Sequence, residues 1–182
     1  MILKPEILTH PNIPKPLHGM NPRSILGSAW WDIERQKAYA STDYHCIACG
    51  VHKSQAKVHQ WLEAHEYWDI NYKTGRCEVK SIEPLCHYCH NFIHSGRLFK
   101  TKTTIEVREI LEHGFNVLSR TGLKVFFFTH ELARLVRANT FGVKYYTPTG
   151  RATWSDFVLI LDGKEYKSKF KSMDEWEQFY KD

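Results

Sequence analysis

Leu85-Cys86-His87-Tyr88-Cys89-His90-Asn91-Phe92-Ile93-His94-Ser95-Gly96-Arg97 packs two cysteines and three histidines into thirteen residues. Its cysteines form a CxxC pair, and a second pair, Cys46-Ile47-Ala48-Cys49, lies upstream. Zinc is borderline-soft and favours tetrahedral sulfur or nitrogen donors, so Cys46, Cys49, Cys86 and Cys89 fit a closed, structural zinc shell. CxxC pairs without a secretory leader pattern point to zinc before disulfides, with a redox dithiol as the competing reading. The insert between the pairs must then double back on itself. His90 and His94 stand four apart, on one face of a helix, and suit a second, open metal position.

Working outward, residues 62–70 read as a strand, 71–75 as a turn and 76–82 as a returning strand. A helix begins near residue 85 and carries His90 and His94. The order is strand, strand, helix, with a cysteine knuckle at each end. Cys77, the fifth cysteine, reads as a buried strand thiol.

Leu62-Glu63-Ala64-His65-Glu66, taken with Leu85 to Arg97, resembles the HNH endonucleases of the ββα-metal (His-Me finger) superfamily. The resemblance covers roughly residues 45–97, about a third of the chain. It implies an α+β fold with a zinc-stabilised ββα-metal core. The implied activity is metal-dependent hydrolysis of phosphodiester bonds in DNA. His65 fills the first metal slot of the motif, and His90 and His94 match the helix ligands of the catalytic ion. Arg97 sits where a basic residue meets a phosphate, and Lys100 follows it. The ion implied is Mg2+, Mn2+ or another divalent first-row metal, beside the structural Zn2+.

Two positions depart from the family pattern. Glu66 stands where the water-activating histidine is expected, and Ser81 where an asparagine orients the base. Glu66 is then the candidate base, although a carboxylate of ordinary pKa about 4.3 is a weaker base than histidine at neutral pH. Alternatively Glu66 is an extra ligand and His59 the base. A slip of one residue makes His65 the base and Glu63 or Glu66 a ligand. A zinc module that binds nucleic acid without cutting it, or an inhibitory protein-interaction module, is the competing function.

The remaining chain reads as additions to that core. Residues 1–24 hold five of the seven prolines and form an extended N-terminal arm. Residues 25–100 make the HNH-like core and 101–182 a helical and β-hairpin extension. Helices are expected over 28–41, with Trp30, Trp31, Ile33 and Ala38 apolar, over 103–118 and over 131–138. A short strand is expected over 125–128. Asp162-Gly163 predicts a hairpin turn within 154–170, and 173–180 reads as a short amphipathic helix. His87 reads as exposed, and His10 and His113 as surface or core residues.

With 182 residues, 42% hydrophobic, the chain is long enough for one domain with extensions. A formal net charge of +5 favours an anionic partner, DNA under the resemblance. Lys164, Lys167, Lys169 and Lys171 alternate along the C-terminal hairpin and offer a second charged ridge. The arm and the extension leave room for a protein partner; the oligomeric state is open. No apolar run spans a membrane and no secretory pattern opens the chain, so an intracellular place is expected, in a bacterial cytoplasm or a phage-infected cell.

Overall fold

A computed structural model describes residues 2–122 and 152–180. The expected strand at 125–128 and helix at 131–138 lie outside them. The fold is mixed α+β, with a four-stranded sheet in the order β1-β2-β3-β4. Strand β1 is Glu63–Asn71 and β2 is Arg76–Leu85. They are joined by a turn in which Gly75 N–H donates to Asn71 O at 2.8 Å. Strand β3, Val158–Leu161, pairs parallel to β2 from Arg76↔Val158 to Glu78↔Ile160, and antiparallel to β4, Lys164–Lys167. Asp162 (φ 49°) and Gly163 (φ 73°) make the tight turn between them. Two consecutive left-handed residues match the right-handed twist of the strands.

The helices are α1 (Pro22–Leu26), α2 (Ser28–Ser41), α3 (His87–Ile93), α4 (Ser95–Thr101), α5 (Thr104–Ser119) and α6 (Met173–Phe179). Thr103 and Glu106 cap α5 reciprocally, which satisfies two otherwise orphaned amides. The proline-rich arm is not uniformly extended. It forms 3-10 turns at Pro5–Thr9 and Lys15–Leu17, which need only local bonds and leave no helical period in the sequence.

The chain forms two compact units. Among the described residues, the first takes 2–10, 37–65 and 83–122; the second takes 11–36, 66–82 and 152–180. The first is centred on Ile7, Leu8, Tyr39, Leu85, Tyr88, Ile93, Ile110 and Leu118, with Cys46, Cys86 and Cys89 among them. In it α3 packs on α5 and both pack on the Pro5–Thr9 turn. Ile7 and Leu8 fix that turn, since each buried aliphatic side chain contributes about 1.5–3 kcal/mol.

The second unit is built around Leu17, Trp68, Cys77, Phe157, Leu159 and Leu161. Cys77 is the buried strand thiol expected, its pKa pushed up to about 12 by burial and then by Asp69. Trp30 and Trp31 are half-buried and Ile33 is exposed, so the apolar positions of α2 are less covered than their spacing suggests.

Candidate metal centres

Four sulfurs meet in the first unit. Cys46 and Cys49 occupy a tight loop in which Gly50 N–H donates to Cys46 O and Cys46 N–H to Val51 O, both at 2.9 Å. Gly50 has φ +81°, the left-handed turn that glycine tolerates. Cys86 is the residue before α3 and Cys89 lies in its first turn. The root of the hairpin joins the knuckles, with Ile47 N–H donating to Pro84 O at 2.9 Å. Cys49 Sγ and Cys86 Sγ are 3.7 Å apart. A tetrahedron with bonds of about 2.3 Å has edges of about 3.8 Å, so the donors fit zinc by chemistry and by spacing.

Hydrogen bonds from Cys46, Cys86 and Cys89 hold Cys49 low, while those from Cys46 and Cys49 push Cys86 up. His113 Nε2 lies 3.3 Å from Cys89 Sγ, and Arg120 donates to Cys49 O at 3.2 Å.

A second group joins His65 of β1 with His90 of α3 and His94 at its end; one ring nitrogen of each lies within 4.8 Å of the others. His90 and His94 approach through their Nε2 atoms at 3.2 Å. Bonds of about 2.0 Å to a tetrahedral ion put donors about 3.3 Å apart, so this pair too has metal spacing. His65 is 2% exposed and its Nδ1 has no hydrogen-bond partner. Its Nε2 is 3.4 Å from His10 Nδ1. Burial, then the charges of His94, His90 and His10, lowers the His65 pKa to about 2. Burial, then His90 and Arg97, lowers that of His94 to about 4. Both rings are therefore neutral near pH 7, the form that coordinates metals.

Glu63 sits beside this group. Its Oε2 is bonded to His90 Nδ1, the carboxylate–histidine pairing that fixes a ligand's tautomer. Its Oε1 lies 2.9 Å from His59 Nε2 and 2.6 Å from His87 Nδ1. Burial pushes the Glu63 carboxyl up, but His90 and then His87 outweigh it and hold the pKa at about 2. His59, Glu63 and His87 make a third group with metal spacing.

The structure thus brings together the four cysteines, and separately His65, His90 and His94. It does not bring Glu66 into any of the three groups. Neighbouring strand residues leave on opposite faces, and Glu66 follows His65 directly in β1. Arg97 and Lys100 are exposed on α4. His87 is not an exposed filler: it is half-buried and bonded to Glu63. His59 and Glu63, the alternative base and ligand of the sequence, meet at Glu63 Oε1, while His10 and His113 carry no spacing signal that ties them to the motif. No family model, curated protein or solved structure matches the chain. Among the described residues, no helix is long and apolar enough to cross a membrane.

Proposed function

We propose that this chain is a metal-dependent endonuclease of the HNH, ββα-metal type, hydrolysing phosphodiester bonds in DNA. The observation that carries the reading is the convergence of His65 with His90 and His94, on a strand pair and a helix clamped at their root by four cysteines. Three imidazoles suit Mn2+, Co2+, Ni2+ or Zn2+ at least as well as Mg2+. Such an ion supplies positive charge to a phosphoryl oxygen and acidifies a bound water.

The chain's own groups set the rest. Glu63 orients His90. Arg97 and Lys100 give exposed positive charge just past the histidines, where a phosphate backbone would lie. Glu66 is the base by resemblance. Its place on the strand face opposite His65 favours a second reading, a module that binds DNA without cutting it.

The test is cleavage of supercoiled plasmid and of single-stranded DNA with Mg2+, Mn2+, Co2+ or Ni2+ added in turn. Metal-dependent cutting is expected in the wild type and none above background in His94→Ala, with the fold intact by circular dichroism. Cutting by folded His94→Ala removes the ligand assignment. Loss in Glu66→Ala assigns the base. DNA binding by a zinc-loaded wild type that cuts nothing favours the second reading.

A further inference from the structure

We propose that His59, Glu63 and His87 form a second divalent-cation site, joined to the His65, His90 and His94 group through the Glu63 carboxylate. The site stands on its own geometry and goes beyond the nuclease reading. The two oxygens of Glu63 face different partners. Oε2 accepts a hydrogen bond from His90 Nδ1–H, and His90 Nε2 faces His94. Oε1 faces His59 Nε2 at 2.9 Å and His87 Nδ1 at 2.6 Å, and those two nitrogens are 3.2 Å apart. Right-angled bonds of about 2.1 Å put neighbouring donors about 3.0 Å apart. The three atoms therefore match one triangular face of an octahedral shell, with Asn91 Nδ2 3.3 Å from His87 Nδ1. Two imidazoles and a carboxylate on one face hold divalent first-row ions such as Fe2+, Mn2+ and Co2+.

Two neighbours bear on this site. Trp61 is 59% exposed, yet its ring lies flat on His59 at 3.8 Å and 2°, which fixes the imidazole plane. Lys102 Nζ is 3.2 Å from His87 Nε2 and 3.6 Å from Glu106 Oε1. A cation on His87 Nδ1 puts the ring proton on Nε2, so the Lys102 ammonium must turn away, and Glu106 is there to receive it. An ion on Oε1 also draws charge from the carboxylate and loosens its hold on His90. Filling the second site then tunes the first.

Without an ion the same atoms hydrogen-bond to Glu63, so the test is whether an added ion displaces those protons. Purified full-length protein with zinc in its four-cysteine site is titrated with Co2+. Native mass spectrometry counts ions, and tryptophan fluorescence reads His59 through Trp61. The wild type is expected to take two Co2+ beyond the zinc. His59→Ala and His87→Gln should each take one, with the second ion weakened by about a hundredfold or more. His94→Ala should lose the other ion and keep the quenching of Trp61, which Trp61→Phe removes.

One Co2+ in the wild type, or two in a folded, zinc-loaded His59→Ala, overturns the site. If both ligand variants fail to fold, Lys102→Met decides: a tighter second ion supports the site and an unchanged one refutes it. Two Co2+ with no DNA cleavage leaves this site standing and sinks the nuclease reading. Cleavage with one Co2+ does the reverse.

Discussion

Gly114, in the middle of α5, shows how one position sets the histidines. A Cβ built there would lie 2.0 Å from the Phe92 ring of α3, closer than real carbon contacts allow. Glycine costs about 1 kcal/mol against alanine in a helix interior, and Gly114→Ala recovers that. Forcing Phe92 aside costs about 1–3 kcal/mol. The net expectation is destabilisation of up to about 2 kcal/mol in denaturant unfolding, with weaker Co2+ binding because α3 carries His90. A gain of about 1 kcal/mol would mean that Phe92 moves freely. His113, 3.3 Å from Cys89 Sγ, is the residue-scale test of the zinc shell. Outer-shell partners of metal ligands are worth about 10–100-fold in affinity, so His113→Ala should yield zinc to a competing chelator faster by that order. Equal retention would make the contact incidental. The four cysteines and the His90/His94 pair were legible because each is a spacing within one short segment. His113 and His10 were not, because only the packing of sequence-distant segments brings them to a site; His59 was legible only as an alternative base, not as the partner of Glu63 and His87.

At the scale of elements, the two hairpin turns contain left-handed glycines with different surroundings. Gly163 has φ +73° and nothing within 4 Å of a built Cβ. Gly75 has φ +76°, and its Cβ would lie 2.5 Å from Asp156 O and 2.9 Å from Phe157 N, both backbone atoms. Gly163→Ala should therefore cost only the left-handed strain of about 1–2 kcal/mol. Gly75→Ala should cost about 1–3 kcal/mol more, because backbone must move. Equal losses in denaturant midpoint would show that the β2–β3 approach is soft. The β3–β4 turn was readable from Asp162-Gly163, and β1, β2, α2 and α5 from local period. The parallel β2–β3 pairing was not, because a parallel ladder has no local turn to announce it. A pH test belongs to α6. Burial lowers the His18 pKa, the Ile13 carbonyl opposes this, and Lys15 adds to the lowering. Neutral His18 accepts from Trp176 Nε1–H at 3.2 Å while its Nε2 bonds Ile13 O, and the Tyr180 ring lies edge-on. The unfolded chain binds this proton first, so the contribution is complete above the unfolded value of about 6.5. It declines as pH falls from there to the lowered folded value. Tryptophan-monitored stability should drop over that window, and His18→Gln should flatten the drop.

The whole molecule joins two cores of different kinds. The compact units are discontinuous in sequence, a property for which composition and periodicity give no signal. The first has Cys46, Cys86 and Cys89 inside its hydrophobic core; the second has only Cys77, a lone buried thiol. Structural zinc in small domains contributes about 10–16 kcal/mol of apparent binding energy. Whole domains are stable by only about 5–15 kcal/mol, so losing a zinc held by the four cysteines would be comparable to the entire stability of the first unit. Its remaining aliphatic contacts cannot compensate while four thiols stay packed against each other without a metal. The second unit buries Leu17, Phe157, Leu159 and Leu161 independently of any cysteine cluster. Strong chelation, or Cys86→Ser, should therefore strip hydrogen-exchange protection from α3 and α5 and leave it on β3 and β4. Protection kept in α3 and α5 after complete zinc loss would make the four-cysteine site dispensable for folding. Simultaneous loss in β3 and β4 would show the two units to be one cooperative system, held through the hairpin whose strands, β1 and β2, contribute residues to both.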